Sequence, residues 1–134
     1  MTGPTDSKTR TITAWVAQLI AAGILGMASF MKLTSSADSV ALFTTLGVEP
    51  WGRWAVGLWE LITVVLLLRA RTARLGGILG AVLMVGAVGA HLTKLGIAYQ
   101  GDPSLFVMAL VALSATVTVI LLRRSREPVG TAVS

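Results

Sequence analysis

Two residues of this chain could carry acid–base chemistry inside a lipid bilayer. Glu60 stands in an otherwise apolar stretch (WAVGLWELITVVLLL, residues 54–68), and His91 is the only histidine, near the end of GAVLMVGAVGAHLTK (residues 80–94). Ionisable groups in membrane segments are rare and usually functional. A desolvated carboxyl and an imidazole suit proton transfer at neutral pH. They are the candidate catalytic pair. Lys32, Arg53 and Lys94 are basic residues at the ends of apolar runs, and Ser29 and Trp59 lie close to them in sequence. These five are the candidate ligand contacts. The expectation is a cationic outer vestibule of Lys32, Arg53, Lys94 and His91 for an anionic or carbonyl-bearing group. Glu60 forms its floor, desolvated, and its charge is uncompensated unless Arg53 or Lys32 reaches it.

Composition sets the solvent these groups see. Only 13% of the residues are charged, about half the share of a soluble domain. The net charge of +5 comes from residues clustered at segment ends. This suits orientation in a membrane better than binding of nucleic acid, which is excluded as a partner. The chain has no cysteine, which removes disulfides, thiolate metal sites and a thiol redox pair. One histidine does not make a multi-histidine metal site, so no metal is expected. Haem ligation through His91 is a minor reading for the same reason.

Four apolar segments read as spans: residues 12–31, 52–68, 75–93 and 104–122. At about 1.5 Å per residue, twenty residues cover roughly 30 Å, one hydrocarbon core. Short connections imply an all-α, up-down four-helix bundle covering residues 12–123. Residues 1–11 and 124–134 are polar and expected to be disordered. Lys8 and Arg10 before an apolar run also resemble a signal peptide, but the run is long for one. Between the first two spans, Ser36 is a natural N-cap for a short interfacial helix reaching Leu46. Gly47, Glu49 and Pro50 then break the chain. Of the 11 basic residues, Lys8, Arg10, Arg69, Arg71, Arg74, Arg123, Arg124 and Arg126 fall on one side and Lys32, Arg53 and Lys94 on the other. That bias puts both termini in the cytoplasm of a multi-pass cell-membrane protein.

Helical periodicity assigns faces. Gly76, Gly80, Met84, Ala87 and His91 form one stripe, and its small residues allow close helix approach in lipid. Gln18, Ala21, Leu25, Ser29 and Lys32 form another, and Arg53, Val56, Gly57 and Glu60 a third. Ser114 and Thr118 are best read as hydroxyls bonded to their own helix. Counting from the inner boundary, Glu60 lies about 13–16 Å deep and His91 about 22–25 Å. A direct bond between them is therefore not implied. His91 is more nearly level with Ser29, Lys32, Arg53 and Lys94.

In sequence, the chain resembles the DoxX-like family of small four-helix membrane proteins. The resemblance covers about residues 12–123. It rests on FMKL (residues 30–33) closing the first helix and on LFTTLGVEPWGRWAVGLWELITVVLLL (residues 42–68), which looks like the family's Leu-Gly-x-x-Pro turn and Gly-x-x-Glu helix. VGAHLTK (residues 88–94) adds the late histidine. The resemblance implies a membrane bundle of the bacterial inner-membrane kind. It places Lys32, Glu60 and His91 at the family's polar signature, and some members are associated with membrane oxidoreductases.

Three functions fit. The first is a redox-associated subunit or small enzyme that binds a quinone-like or other lipophilic molecule in a pocket lined by Glu60 and His91, with oxidoreductase subunits or a second copy of the chain as partners. The second is a cofactor-independent isomerase, cyclase or epoxide-opening enzyme that uses Glu60 and His91. The third is a non-enzymatic subunit or assembly factor of a membrane complex. The residues alone leave enzyme and subunit both open.

Overall fold

A computed structural model of the chain describes residues 4–123. Among these residues the structure is all-helical, with no strand. Five α-helices follow in order: α1 (Pro4–Leu33), α2 (Ala37–Leu46), α3 (Trp51–Leu67), α4 (Ala73–Ala90) and α5 (Ser104–Leu122). A π-helical turn, His91–Leu95, continues α4, and a short 3-10 turn, Tyr99–Gly101, precedes α5. α1 packs on α3 and α5, and α4 packs on the same two helices, so the four longer helices close a ring. α2 lies against α1, α3 and the π turn.

Among the described residues, three segments are long and apolar enough to cross a membrane: Ser7–Leu33, Ala73–Leu95 and Ser104–Leu122. α3 is the shortest of the four ring helices, with 17 residues, and carries Arg53 and Glu60 in that length. The interior is made of small side chains: Ala17, Ala21, Ala73, Ala112 and Ala115 with Leu25, Leu67 and Val119. Large apolar side chains such as Ile12, Leu19, Phe30, Leu61, Val85 and Leu121 point outward. This arrangement suits lipid, which solvates large apolar groups while small residues let helices approach. Gly80 is the centre of that packing. A Cβ there would lie 2.8 Å from Thr116 Cγ2, 3.2 Å from Thr63 Cγ2 and 3.5 Å from Leu25 Cδ1, one atom from each of the other three helices.

Two local features match the sequence reading. Ser36 caps α2, its hydroxyl accepting from the Ser39 N–H, and Gly47 ends that helix at φ 79°. The hydroxyls of Ser114 and Thr118 donate to their own helix, at Leu110 and Ser114 carbonyls. The N-terminal segment differs. Residues 4–11, expected to be disordered, are helical and continuous with the apolar run. The reason is a long-range tie: Arg10 donates from Nε to the Leu122 carbonyl at 3.1 Å and from Nη2 to the Leu121 carbonyl at 3.2 Å. It thus satisfies carbonyls that the end of α5 would leave open. Residues 1–3 and the expected tail 124–134 lie outside the described residues.

The loop before α5 is held by Asp102, whose Oδ1 accepts the Ser104 hydroxyl at 2.6 Å and the Ser104 N–H at 2.9 Å. The hydroxyl first, and the amide second, hold the carboxyl below its ordinary range. A lowered value in the folded chain means this contribution is present above the ordinary aspartate range and is lost as the pH falls through the lowered value. Acidification should therefore lower the protection factor of the Ser104 amide, its exchange measured against the intrinsic rate at the same pH, and Asp102→Asn should flatten that pH dependence in an NMR titration. A second expectation concerns Gly80. Gly80→Leu should lower stability by about 1–3 kcal/mol through overpacking. Gly86→Leu, where a Cβ meets nothing within 4 Å, should leave the thermal unfolding midpoint in detergent nearly unchanged.

Candidate functional site

The polar groups gather where the C-terminal part of α1 meets the first half of α3. Ser29 and Lys32 share a face of α1 at i,i+3, and Gly57 and Glu60 do the same on α3. The helices approach closely because Gly57 has no side chain. A Cβ there would lie 3.0 Å from Leu33 Cδ2 and 3.1 Å from Lys32 Cβ. Ser29 Oγ donates to the Gly57 carbonyl at 2.8 Å, one turn from the site. At this separation Lys32 Nζ reaches Glu60 Oε1 at 2.9 Å. The Glu60 side chain is 2% exposed and that of Lys32 17%. The other carboxylate oxygen, Oε2, is buried and has no hydrogen-bond partner.

Arg53 fixes the top of this seam. Its Nε donates to both Glu49 carboxylate oxygens at 2.9 Å, and Nη2 lies 2.9 Å from Glu49 Oε1. Nη1 donates to the Lys32 carbonyl and, at 2.9 Å, to Ser35 Oγ. One guanidinium therefore joins the start of α3 to the last turn of α1, where the Lys32 carbonyl also accepts from the Ser35 N–H at 3.3 Å. It also lies 5.4 Å from the centre of the Trp54 ring. The result is a continuous ladder from Glu49 through Arg53 and the Lys32 backbone to the Lys32–Glu60 pair.

His91 belongs to a different place. It opens the π turn, is 5% exposed, and sets its ring edge against Phe106 at 5.7 Å between centroids. Its Nδ1 is 3.0 Å from the Gly96 carbonyl. A carbonyl only accepts, so Nδ1 carries the hydrogen and a neutral ring leaves Nε2 as the acceptor. No hydrogen bond links His91 to Glu60 among the described residues. Lys94, one turn on, is exposed.

The expected vestibule is therefore redistributed. Ser29, Lys32, Arg53 and Glu60 come together. Lys32 and Arg53 are not open to a ligand as free cations, because each is paired with a carboxylate. The Ser29 hydroxyl is spent on the α3 backbone. Trp59 turns away from the seam and donates from Nε1 to the Leu79 carbonyl of α4 at 3.1 Å. A groove of about 430 Å³ lies between α1 and α5, and neither Glu60 nor His91 lines it. The sequence reading took Glu49 only as part of the chain break and not as the partner of Arg53, although Glu49 and Arg53 at i,i+4 are a readable helix-start pair. Phe106 carried no such signal.

The pair has a stability consequence. Lys32→Met should strip Glu60 of its partner and cost about 3–5 kcal/mol, as loss of one member of a buried pair does. The double variant Lys32→Met/Glu60→Met should recover most of that loss. Thermal unfolding of the purified variants in one detergent reads both.

The chain also matches the sequence profile of a known family. The match covers residues 16–121, from the middle of α1 to the end of α5, and includes Lys32, Glu60 and His91. No curated protein and no solved structure matches the chain at a significant level. With most of its length covered, and with all its described helices accounted for, the chain belongs to the DoxX-like family.

Proposed function

We propose that this protein is a multi-pass cell-membrane protein of four spanning helices, α1, α3, α4 and α5, in which the Lys32–Glu60 seam is the polar end of a site for a lipophilic small molecule. The closed ring of helix contacts supports the four-span reading. So does the length of α3, roughly 25 Å, which reaches most of the way across a hydrocarbon core. The distribution of basic residues supports cytoplasmic termini and puts α2 at the outer surface.

The observation that carries the site is the unpartnered Glu60 Oε2 beside the bound Lys32. A buried polar atom without a partner costs about 1–3 kcal/mol. A ligand hydroxyl donating to Oε2 removes that cost. A quinol-type head group supplies such a hydroxyl, and its apolar body suits a seam between membrane helices. Glu60 then positions the hydroxyl and takes its proton, while the Lys32 ammonium compensates the carboxylate charge. Oxidation to the quinone releases two protons and two electrons: the second proton passes to the aqueous phase, and both electrons go to a partner oxidoreductase subunit. His91, with Nε2 as an acceptor near the outer end, serves entry rather than the first proton transfer. Acid–base catalysis by a Glu60–His91 dyad is less favoured, because the two side chains meet different partners. A purely structural role in a larger complex has one observation in its favour: Gly86 and Gly89 have open space where a Cβ would be, on a part of α4 that a partner helix could approach.

The test uses protein reconstituted in phosphatidylcholine vesicles, with decylubiquinol as the probe and tryptophan fluorescence as the readout. Saturable quenching is expected, weakened roughly tenfold or more in Glu60→Gln by loss of a charged hydrogen bond. Absence of saturable quenching, or equal affinity in the wild type and in Lys32→Met/Glu60→Met, contradicts the proposal.

A further inference from the structure

A second binding feature lies on the opposite flank of α1. Between α1 and α5 runs an apolar groove of about 430 Å³, bounded by Thr13 and Ile20 on α1 and by Val107 and Thr118 on α5. Ala17 and Ala115, both buried, form its floor, and Val16 and Val111 stand at its sides. The Ser114 and Thr118 hydroxyls along it are turned to carbonyls of their own helix, which leaves the lining apolar in effect. From residue 107 to residue 118 the groove is roughly 17 Å long, about the hydrocarbon depth of one leaflet.

One end of the groove is strongly basic. Arg10 lies one turn before Thr13 and is pinned across the α1–α5 seam by its bonds to the Leu121 and Leu122 carbonyls. Those bonds use Nε and Nη2 only, and the residue is exposed. Arg123 lies at the same end, where its Nε donates to Gln18 Oε1 at 2.8 Å and its guanidinium lies 5.6 Å from the centre of the Trp15 ring. Gln18 Nε2 in turn donates to the Leu67 carbonyl at 2.7 Å, which brings the end of α3 and its turn to the same level. Among the described residues, that end therefore gathers Lys8, Arg10, Arg69, Arg71, Arg74 and Arg123.

We infer that the α1–α5 groove holds an acyl chain of an anionic phospholipid whose phosphate rests on Arg10. Charge complementarity selects the occupant. An apolar partner helix fills the groove but gains nothing from the cation at its mouth, and a zwitterionic phospholipid brings an ammonium that offsets the attraction of its phosphate, whereas an anionic head group keeps its net negative charge for the guanidinium. The inference rests on the membrane placement and is independent of the Lys32–Glu60 site, which lies on the other seam of α1.

The experiment is electron paramagnetic resonance on the full chain in phosphatidylcholine vesicles. These carry spin-labelled phosphatidylglycerol or, in parallel, spin-labelled phosphatidylcholine. A motionally restricted fraction favouring phosphatidylglycerol by about fivefold is expected from one cation at the membrane surface. Arg10→Gln should remove the preference, and Ser114→Phe should remove the restricted component by filling the groove. Asp38→Asn, an exposed single-charge change in α2 at the opposite end, should leave both unchanged. Circular dichroism confirms that each variant is folded. Equal restriction of the two lipids overturns the proposal, as does a preference that survives both Arg10→Gln and Ser114→Phe. Efficient cross-linking of Ser114→Cys between chains also overturns it, by showing a second copy seated in the groove.

Discussion

The ion pair between Lys32 and Glu60 constrains this structure more than any other contact. A lone carboxylate or ammonium in a medium of low dielectric carries a penalty of several kcal/mol, which a partner offsets only at close range. The 2.9 Å separation therefore dictates much around it. α1 and α3 must approach until side chains from both backbones can meet, and Gly57 makes room for that. Ser29 then binds the Gly57 carbonyl, and Arg53, held by Glu49, fixes the carbonyl of Lys32 itself. The charged groups are thus linked from the loop before α3 to the buried pair. One valence is left over, at Glu60 Oε2.

The remainder of the fold is organised around lipid as the solvent. Alanines and glycines form most of the interior, and leucine, isoleucine and valine face outward. Hydrophobic burial cannot hold such helices together, since lipid is as apolar as the side chains it replaces. Cohesion comes from close packing at positions such as Gly80 and from polar ties at the ends. Gln18 and Arg123 tie α1, α3 and α5 at one end, and the Arg53 network ties α1 and α3 at the other.

The faces of the helices were legible in the sequence, because a 3.6-residue repeat of small or polar residues survives in a background of leucine and valine. Gly76, Gly80, Met84 and His91 are buried on one face of α4 and its π turn, as the stripe predicts, and Gln18, Ala21, Leu25 and Ser29 are buried on α1. The cap at Ser36 was legible for a local reason. Pairing of cations was not. A lysine or arginine at the end of an apolar run reads as a snorkelling anchor, and nothing in one helix shows that a carboxylate waits on the next. The early start of α1 was hidden in the same way. Its polar residues read as disorder, while the carbonyls that bind Arg10 come more than a hundred positions later. The separation of His91 from Glu60 was visible as a difference in depth, but the π turn that sets the imidazole against Phe106 was not.

The central claim is that Glu60 offers a buried, unshared carboxylate oxygen to a ligand while Lys32 holds the other. Isotope-edited infrared difference spectroscopy of the reconstituted protein, recorded before and after decylubiquinol is added, observes that carboxyl group directly. The account predicts a change in the Glu60 carboxyl band on binding, identified by its disappearance in Glu60→Gln and its persistence in His91→Ala. A difference spectrum that is the same in the wild type and in Glu60→Gln would contradict it.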